Sequence, residues 1–126
     1  MKIVEIEALG EKRLMCCNLR TMKAITQKFG GSAEMREKLS GANVDETLDT
    51  AIWLISAMLD GGYRYAQKNG VPCAPPPTED ELLDSFGLDD LIDLQRKAME
   101  AMTESSKPDV EAESIDPKNA EATPEK

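Results

Sequence analysis

The chain has 126 residues, of which 40% are apolar, 31% charged and 4% aromatic; this supports one small domain and excludes two independent cores. Fifteen basic and 24 acidic side chains give a net charge of −9, which repels nucleic-acid phosphates and anionic lipid headgroups. Histidine is absent, which removes the most frequent general base near neutral pH and the commonest metal ligand.

The negative charge is concentrated in the C-terminal part of the chain. Residues 1–73 carry ten bases and nine acids, whereas residues 74–126 carry five bases and 15 acids. From residue 104 onward, large apolar residues are too few to offset the entropy lost when a chain becomes ordered. We therefore expect a single domain over residues 1–103 and a disordered acidic tail over residues 104–126, which serves either as a solubility tail or as a contact arm.

The cysteines indicate a reducing compartment. Cys16, Cys17 and Cys73 form no CxxC motif and leave at least one thiol unpaired, so the sequence predicts neither a disulfide framework nor a zinc site. Acidic residues among the first seven positions interrupt any apolar signal core, and no run approaches the roughly 20 apolar residues of a membrane span. We expect a soluble cytoplasmic protein that does not enter a membrane.

The first elements in chain order are a hairpin and two helices. Alternating apolar and polar residues predict strands over residues 4–8 and 13–17, joined by a turn at residues 10–12. Such a strand places Cys16 and Cys17 on opposite faces, as small core residues. Apolar residues at helical spacing then predict a helix over residues 19–29 that ends at two glycines, and a second, shorter helix that Ser32 caps.

The third predicted helix, over about residues 44–68, is the centre of the expected core. Its apolar stripe is wide enough to contact more than one neighbour, and Asn43 and Glu46 predict a capping box at its start. Gly61 and Gly62 indicate either close helix contact or a local bend. Trp53 lies off the stripe, so either the hairpin or the C-terminal helices cover it, or it contacts a partner.

The remaining elements are a connector and two helices. Proline-rich residues 70–77, here called the proline connector, cannot continue a helix. Thr78 and Glu81 predict a capping box that opens a short helix ended by Gly87, and the last helix covers about residues 88–103. The expected fold is α+β and mainly α, with an N-terminal β-hairpin followed by about five helices and the acidic tail.

Carboxylates are the only candidate catalytic or metal-binding groups. They crowd two predicted helix starts, at residues 79–84 and 89–93, where the helix dipole itself favours negative charge and where no calcium-binding loop occurs. The sequence has no phosphate-binding loop, no dinucleotide-binding glycine motif and no nucleophile elbow. We therefore expect no enzyme, no catalytic residue, no cofactor and no metal.

Four stretches follow a common order: the hairpin start, the helix over residues 19–30 that ends in Phe-Gly, the helix over residues 49–70 that contains Ala-Ile-Trp-Leu-Ile, and the Thr-Glu-Asp-Glu-Leu opening at residues 78–82. In order and apolar spacing, they resemble the tail assembly chaperones of long-tailed bacteriophages and prophages. The resemblance covers about residues 1–103. Neither the proline connector nor the tail contributes to it.

The resemblance implies a non-enzymatic chaperone that binds the long helical tape measure protein and helps to recruit tail tube subunits. Such proteins act in the host cytoplasm and are absent from the finished virion, and related genes often also encode a longer, frameshifted product. We predict a binding groove between the third and the last helix, with Trp53, Leu91 and Ile92 as partner-binding residues. The sequence leaves self-association open.

Two functions of other classes fit the same residues. One is an acidic regulator that masks a basic nucleic-acid-binding protein, for which salt should release the captured partner. The other is a structural head–tail connector, which should be present in purified particles. Gene order also distinguishes them, because a chaperone gene is expected between a tube gene and a tape measure gene.

Overall fold

The computed structural model describes the backbone of residues 1–106 and the side chains of residues 1–103. Within this part of the chain, a two-stranded antiparallel hairpin precedes five helices, which confirms the predicted fold class. The elements are β1 (Val4–Ala8), β2 (Glu11–Met15), α1 (Leu19–Phe29), α2 (Ser32–Leu39), α3 (Val44–Asn69), α4 (Glu79–Ser85) and α5 (Leu88–Ser106). Helix α5 thus extends three residues past its predicted end. The predicted disordered tail lies, over residues 107–126, outside the described residues.

The hairpin turn is shorter than predicted. Ala8 pairs with Glu11, so the turn consists of Leu9 and Gly10, whose φ angles are 54° and 77°. Two-residue turns with positive φ match the right-handed twist of the flanking strands. The predicted turn at residues 10–12 is therefore wrong, and β2 begins and ends two residues earlier than expected. Cys16 and Cys17 follow β2, and both are buried in the core.

Helix α3 is the centre of the fold, as predicted, because β2 and the other four helices all pack against it. Gly61 and Gly62 lie against the end of the hairpin. A Cβ atom added to Gly62 would lie 1.8 Å from the carbonyl oxygen of Leu14. Close contact at this position is confirmed, but the neighbouring element is strand β2 and not a helix. This contact fixes the hairpin on the central helix.

The helix starts follow the predicted capping chemistry with two corrections. The side chain of Asn43 accepts a hydrogen bond from the Glu46 backbone N–H at 3.0 Å, but the Glu46 carboxylate pairs with Lys38 at 2.9 Å and so forms no reciprocal bond in the structure. Thr78 and Glu81 form a complete capping box. The predicted cap at Ser32 is wrong: Ser32 is the first helical residue of α2, and Gly31 occupies the N-cap position. Local polar groups therefore cap the starts of α3 and α4, whereas α2 begins without a side-chain cap.

Some apolar residues predicted to face the core face solvent instead. Leu19, Val44 and Leu88 are 86%, 70% and 67% exposed. Each is the first residue of its helix, so it lies at the edge of the region that neighbouring elements cover. The apolar stripe of each helix therefore begins before the part of the helix that is buried.

Arg13 holds the proline connector against the hairpin. Its side chain is only 6% exposed; Nε donates to the carbonyl oxygen of Ala8 at 2.9 Å, and Nη1 donates to that of Pro75. The backbone N–H of Ala74 also donates to the carbonyl oxygen of Lys12 at 3.3 Å. The connector has neither helix nor strand, as predicted, and these bonds determine its path toward α4.

Candidate binding groove

An open apolar cavity of about 240 Å³ lies where α3, α4 and α5 meet, and we call it the α3–α4–α5 groove. Leu82 and Leu91 are buried at its base, whereas Leu83 and Leu88 are 51% and 67% exposed. The lining residues are Leu48, Ile52, Leu82, Leu83, Phe86, Gly87, Leu88 and Leu91. Because this lining is wholly apolar except for the glycine backbone, the groove suits apolar side chains of another polypeptide.

The chain corner between α4 and α5 forms the outer wall of the groove. Helix α4 ends at Ser85, and Phe86 has extended backbone angles, φ −110° and ψ 142°. The Gly87 backbone N–H then donates to the Asp90 carboxylate at 3.0 Å, which supports the first turn of α5. Leu83, near the end of α4, and Leu88, at the start of α5, therefore lie on either side of this corner.

Adjacent leucines explain why part of the groove is exposed. Successive residues of a helix differ in direction by about 100°, so Leu82 and Leu83 cannot both face the core of a two-turn helix. Leu82 is fully buried, and Leu83 lies at the groove. The adjacent pair is the signal in the sequence that one of the two leucines is accessible.

The structure places the predicted partner-binding residues in different surroundings. Leu91 lines the groove but is only 7% exposed, so it contributes shape at the base of the groove and little accessible surface. Ile92 is exposed and lies with Gln95, Arg96 and Met99 on a separate small cavity. The groove between the third and last helices thus contains one of the three predicted residues.

Trp53 is half-buried beneath α1 rather than beneath the hairpin or the C-terminal helices. Its ring meets Phe29 edge-to-face with centroids 5.3 Å apart, and Lys28 Nζ lies 5.6 Å from the Trp53 ring centroid. It borders a larger polar cavity of about 670 Å³. That cavity is also lined by Lys28, Phe29, Lys38, Asn43, Asp45, Glu46, Asp49, Thr50 and Glu79. Trp53 therefore lines the polar cavity and not the apolar groove.

The carboxylate clusters begin at the helix starts, as expected, but Asp84 and Asp93 lie beyond the first turns of α4 and α5. Among the described residues, no group of three or more histidine, cysteine or acidic side chains is arranged to hold a metal ion. Asp93 pairs with Arg96 and, at 3.2 Å, with Lys97. Hydrogen bonds from Lys97 and Arg96 lower the pKa of Asp93. These groups form a charged surface beside the groove and not a chelating centre.

The two core thiols are chemically protected. Burial, with a smaller contribution from Cys16, raises the pKa of Cys17 to about 11, and burial also raises the pKa of Cys16. Since the thiolate is the reactive form, we expect a maleimide at about pH 7 to label Cys73 and to spare the buried pair. Intact mass should show one adduct on the folded protein and three in denaturant. Rapid labelling of a second thiol in the folded protein would contradict this prediction.

Comparisons with protein-family models, curated proteins and solved structures find no match to this chain. Within residues 1–106, no helix has both the length and the apolar character needed to span a bilayer. The groove geometry and the sequence resemblance are therefore the grounds for a functional proposal.

Proposed function

We propose that this chain is a non-enzymatic tail assembly chaperone of a long-tailed bacteriophage or prophage. It binds an apolar segment of the tape measure protein and helps to recruit tail tube subunits in the host cytoplasm, and it is absent from the mature virion. The observation that carries the proposal is the α3–α4–α5 groove, which is lined by apolar residues and has exposed leucines at its edge.

The groove has the size and lining expected of a site for side chains. Its volume of about 240 Å³ is below the roughly 300–1,000 Å³ of typical small-molecule sites. Helices bind in such grooves through apolar residues at positions i, i+3, i+4 and i+7. A tape measure protein, which exposes apolar helical faces until tube subunits enclose it, offers this kind of ligand.

The chemistry of the lining also supports a binding role. None of the groove residues has a titratable or nucleophilic side chain, so they cannot transfer a proton or attack a substrate. Burial of apolar surface stabilises a complex by about 25 cal/mol per Å², with no bond made or broken. The groove thus favours a chaperone that acts without cofactor or metal.

The double substitution Leu83→Glu and Leu88→Glu is expected to abolish solubilisation of the tape measure protein. Both leucines are more than half exposed, so the fold should persist, while two carboxylates at the edge would oppose burial of an apolar segment. Co-expression should be followed by measuring the soluble fraction of the tape measure protein and its copurification with the chaperone.

Leu19→Glu is the matched control, because Leu19 is 86% exposed and lies outside the groove. Its solubilising activity should equal that of the wild type. A folded double variant that solubilises as well as this control would contradict the groove as the binding site. Ile92→Glu tests whether the interface also includes the neighbouring face of α5, whereas a charge at Leu91 would disturb the core itself.

The acidic regulator is a second candidate, favoured by the many carboxylates of α4 and α5. It would bind a basic DNA-binding protein that salt releases. The head–tail connector remains the structural alternative, and detection of this chain in purified particles would support it over a chaperone.

A further inference from the structure

We propose that the segment bound in the α3–α4–α5 groove is an amphipathic helix with lysine or arginine beside its apolar face. This inference rests on the proposed function of the groove and adds the charge of the partner. It assigns the acidic side chains around the groove to recognition, in addition to any effect on solubility.

The stretch that forms the outer wall of the groove is strongly acidic. Residues 79–93 contain seven acidic side chains and no basic one, and no groove-lining residue is basic. The acids are Glu79, Asp80, Glu81, Asp84, Asp89, Asp90 and Asp93. A partner segment that enters the groove therefore meets a stretch of chain that carries only negative charges.

Three of these carboxylates have partners inside the fold. Glu81 accepts from the Thr78 backbone N–H at 2.8 Å, and Asp90 accepts from that of Gly87 at 3.0 Å. Asp93 pairs with two bases of its own helix. By contrast, Asp80, Asp84 and Asp89 form no ion pair with any residue of the described part of the chain.

Two of the carboxylates that form no ion pair, those of Asp80 and Asp89, lie next to residues that line the groove. Asp80 precedes Leu83 by three residues on α4, so the two side chains are neighbours on one face. An oxygen of Asp89 lies 3.1 Å from the position of a Cβ on Gly87, which lines the groove. The apolar and acidic features therefore form one surface.

Helix stability does not account for all of these charges. Acids in the first turn of a helix are stabilised by its dipole, which explains Asp80 and Asp89. Asp84 is the sixth of the seven residues of α4, close to the end where the dipole disfavours negative charge. The helix dipole therefore does not account for Asp84, whose carboxylate adds to the negative charge of the outer wall.

The same charges disfavour the acidic tail as the occupant of the groove. Residues 107–126 contain six acids and three bases, so this segment would bring further negative charge to an acidic surface. A segment with cations beside its apolar residues would instead complement the exposed carboxylates and associate faster at low salt. Charge complementarity thus selects a basic partner segment.

Two synthetic helical peptides of about 18 residues test this inference. They share one leucine face, and the positions beside that face are lysine in one peptide and glutamate in the other. Fluorescence anisotropy with the full chain should show, at low salt, that the Kd of the lysine peptide is at least about tenfold lower than that of the glutamate peptide. The advantage should shrink strongly at about 1 M salt, where the Debye length falls to about 3 Å, while leucine-dependent binding persists.

Asp84→Lys should weaken binding of the lysine peptide about threefold or more and should not weaken binding of the glutamate peptide. Lysine near the C-terminal end of α4 is compatible with the helix dipole, so the variant should fold. Glu37→Lys is the matched control: it changes the net charge equally but lies on α2, outside both the groove and the cavity beside Trp53. It should leave both dissociation constants unchanged.

The outcomes separate the two proposals. If the wild type bound both peptides equally and the double variant Leu83→Glu with Leu88→Glu bound neither, the charge preference would be overturned. The groove would remain the binding site. Binding of the lysine peptide that survives this double substitution would overturn the groove as its location. Failure of both peptides to bind would overturn this inference and count against the proposed function as well.

Discussion

Replacement of Gly62 by alanine is expected to lower the free energy of unfolding by about 3 kcal/mol or more, because a core overpacked against backbone cannot relax by a side-chain rotation. The added Cβ would lie 1.8 Å from the carbonyl oxygen of Leu14 and 2.9 Å from the backbone nitrogen of Met15. Helix α3 and the hairpin would have to separate. The helix-propensity gain of about 1 kcal/mol for glycine to alanine is too small to offset this.

Urea denaturation followed by far-UV circular dichroism measures this change. Gly41→Ala serves as the control, because a Cβ there would meet its nearest atom at 3.5 Å, an ordinary van der Waals contact. The control should stay within about 0.5 kcal/mol of the wild type. A Gly62→Ala protein as stable as Gly41→Ala would show that α3 does not contact the strand as closely as described.

Arg13→Ala is expected to destabilise the protein by about 2–4 kcal/mol. The guanidinium group donates to the backbone oxygen of Ala8 in a buried hydrogen bond and to that of Pro75 in a partly buried one, and a hydrogen bond from a charged group contributes about 1.5–3 kcal/mol. Without it, both oxygens lose their charged donor, and of the two links described between the proline connector and the hairpin only the backbone bond from Ala74 to Lys12 is left. Arg13→Lys should recover only part of the loss, because a single ammonium group cannot reproduce the planar fork.

Denaturant midpoints measure this loss, and limited proteolysis reports whether cleavage shifts to the proline connector. Arg36→Ala is the matched control, since Arg36 is exposed on α2 and its side chain forms no salt bridge with a described residue. It should be nearly neutral. If Arg13→Ala were equally neutral, the connector would be held by other contacts.

These two positions bear on the groove because Gly62 lies on α3 and Arg13 contacts the connector that leads into α4, and both helices line the groove. Gly62 allows the hairpin to lie against α3, which forms one wall. Arg13 holds the connector that leads into α4, which forms another. Loss of either contact is therefore expected to disturb the groove as well as the global stability.

The local sequence determined the elements and most of their boundaries. Gly30 and Gly70, with φ angles of 100° and 65°, close α1 and α3 where the sequence predicts that helices end. Asn43 and Thr78 begin α3 and α4 through hydrogen bonds to residues three positions away. Such interactions involve neighbours in the chain, so a single sequence is sufficient to predict them.

Contacts between distant segments determined the groove and the positions that support it. Burial of Arg13 depends on a proline 62 residues away, and the cover over Trp53 comes from Phe29 rather than from the predicted elements. Likewise, helical periodicity indicates that Leu82 and Leu83 point in different directions, but the packing of α4 against α3 and α5 selects which one remains accessible. Periodicity describes the faces of one helix, whereas accessibility depends on every element that packs around it.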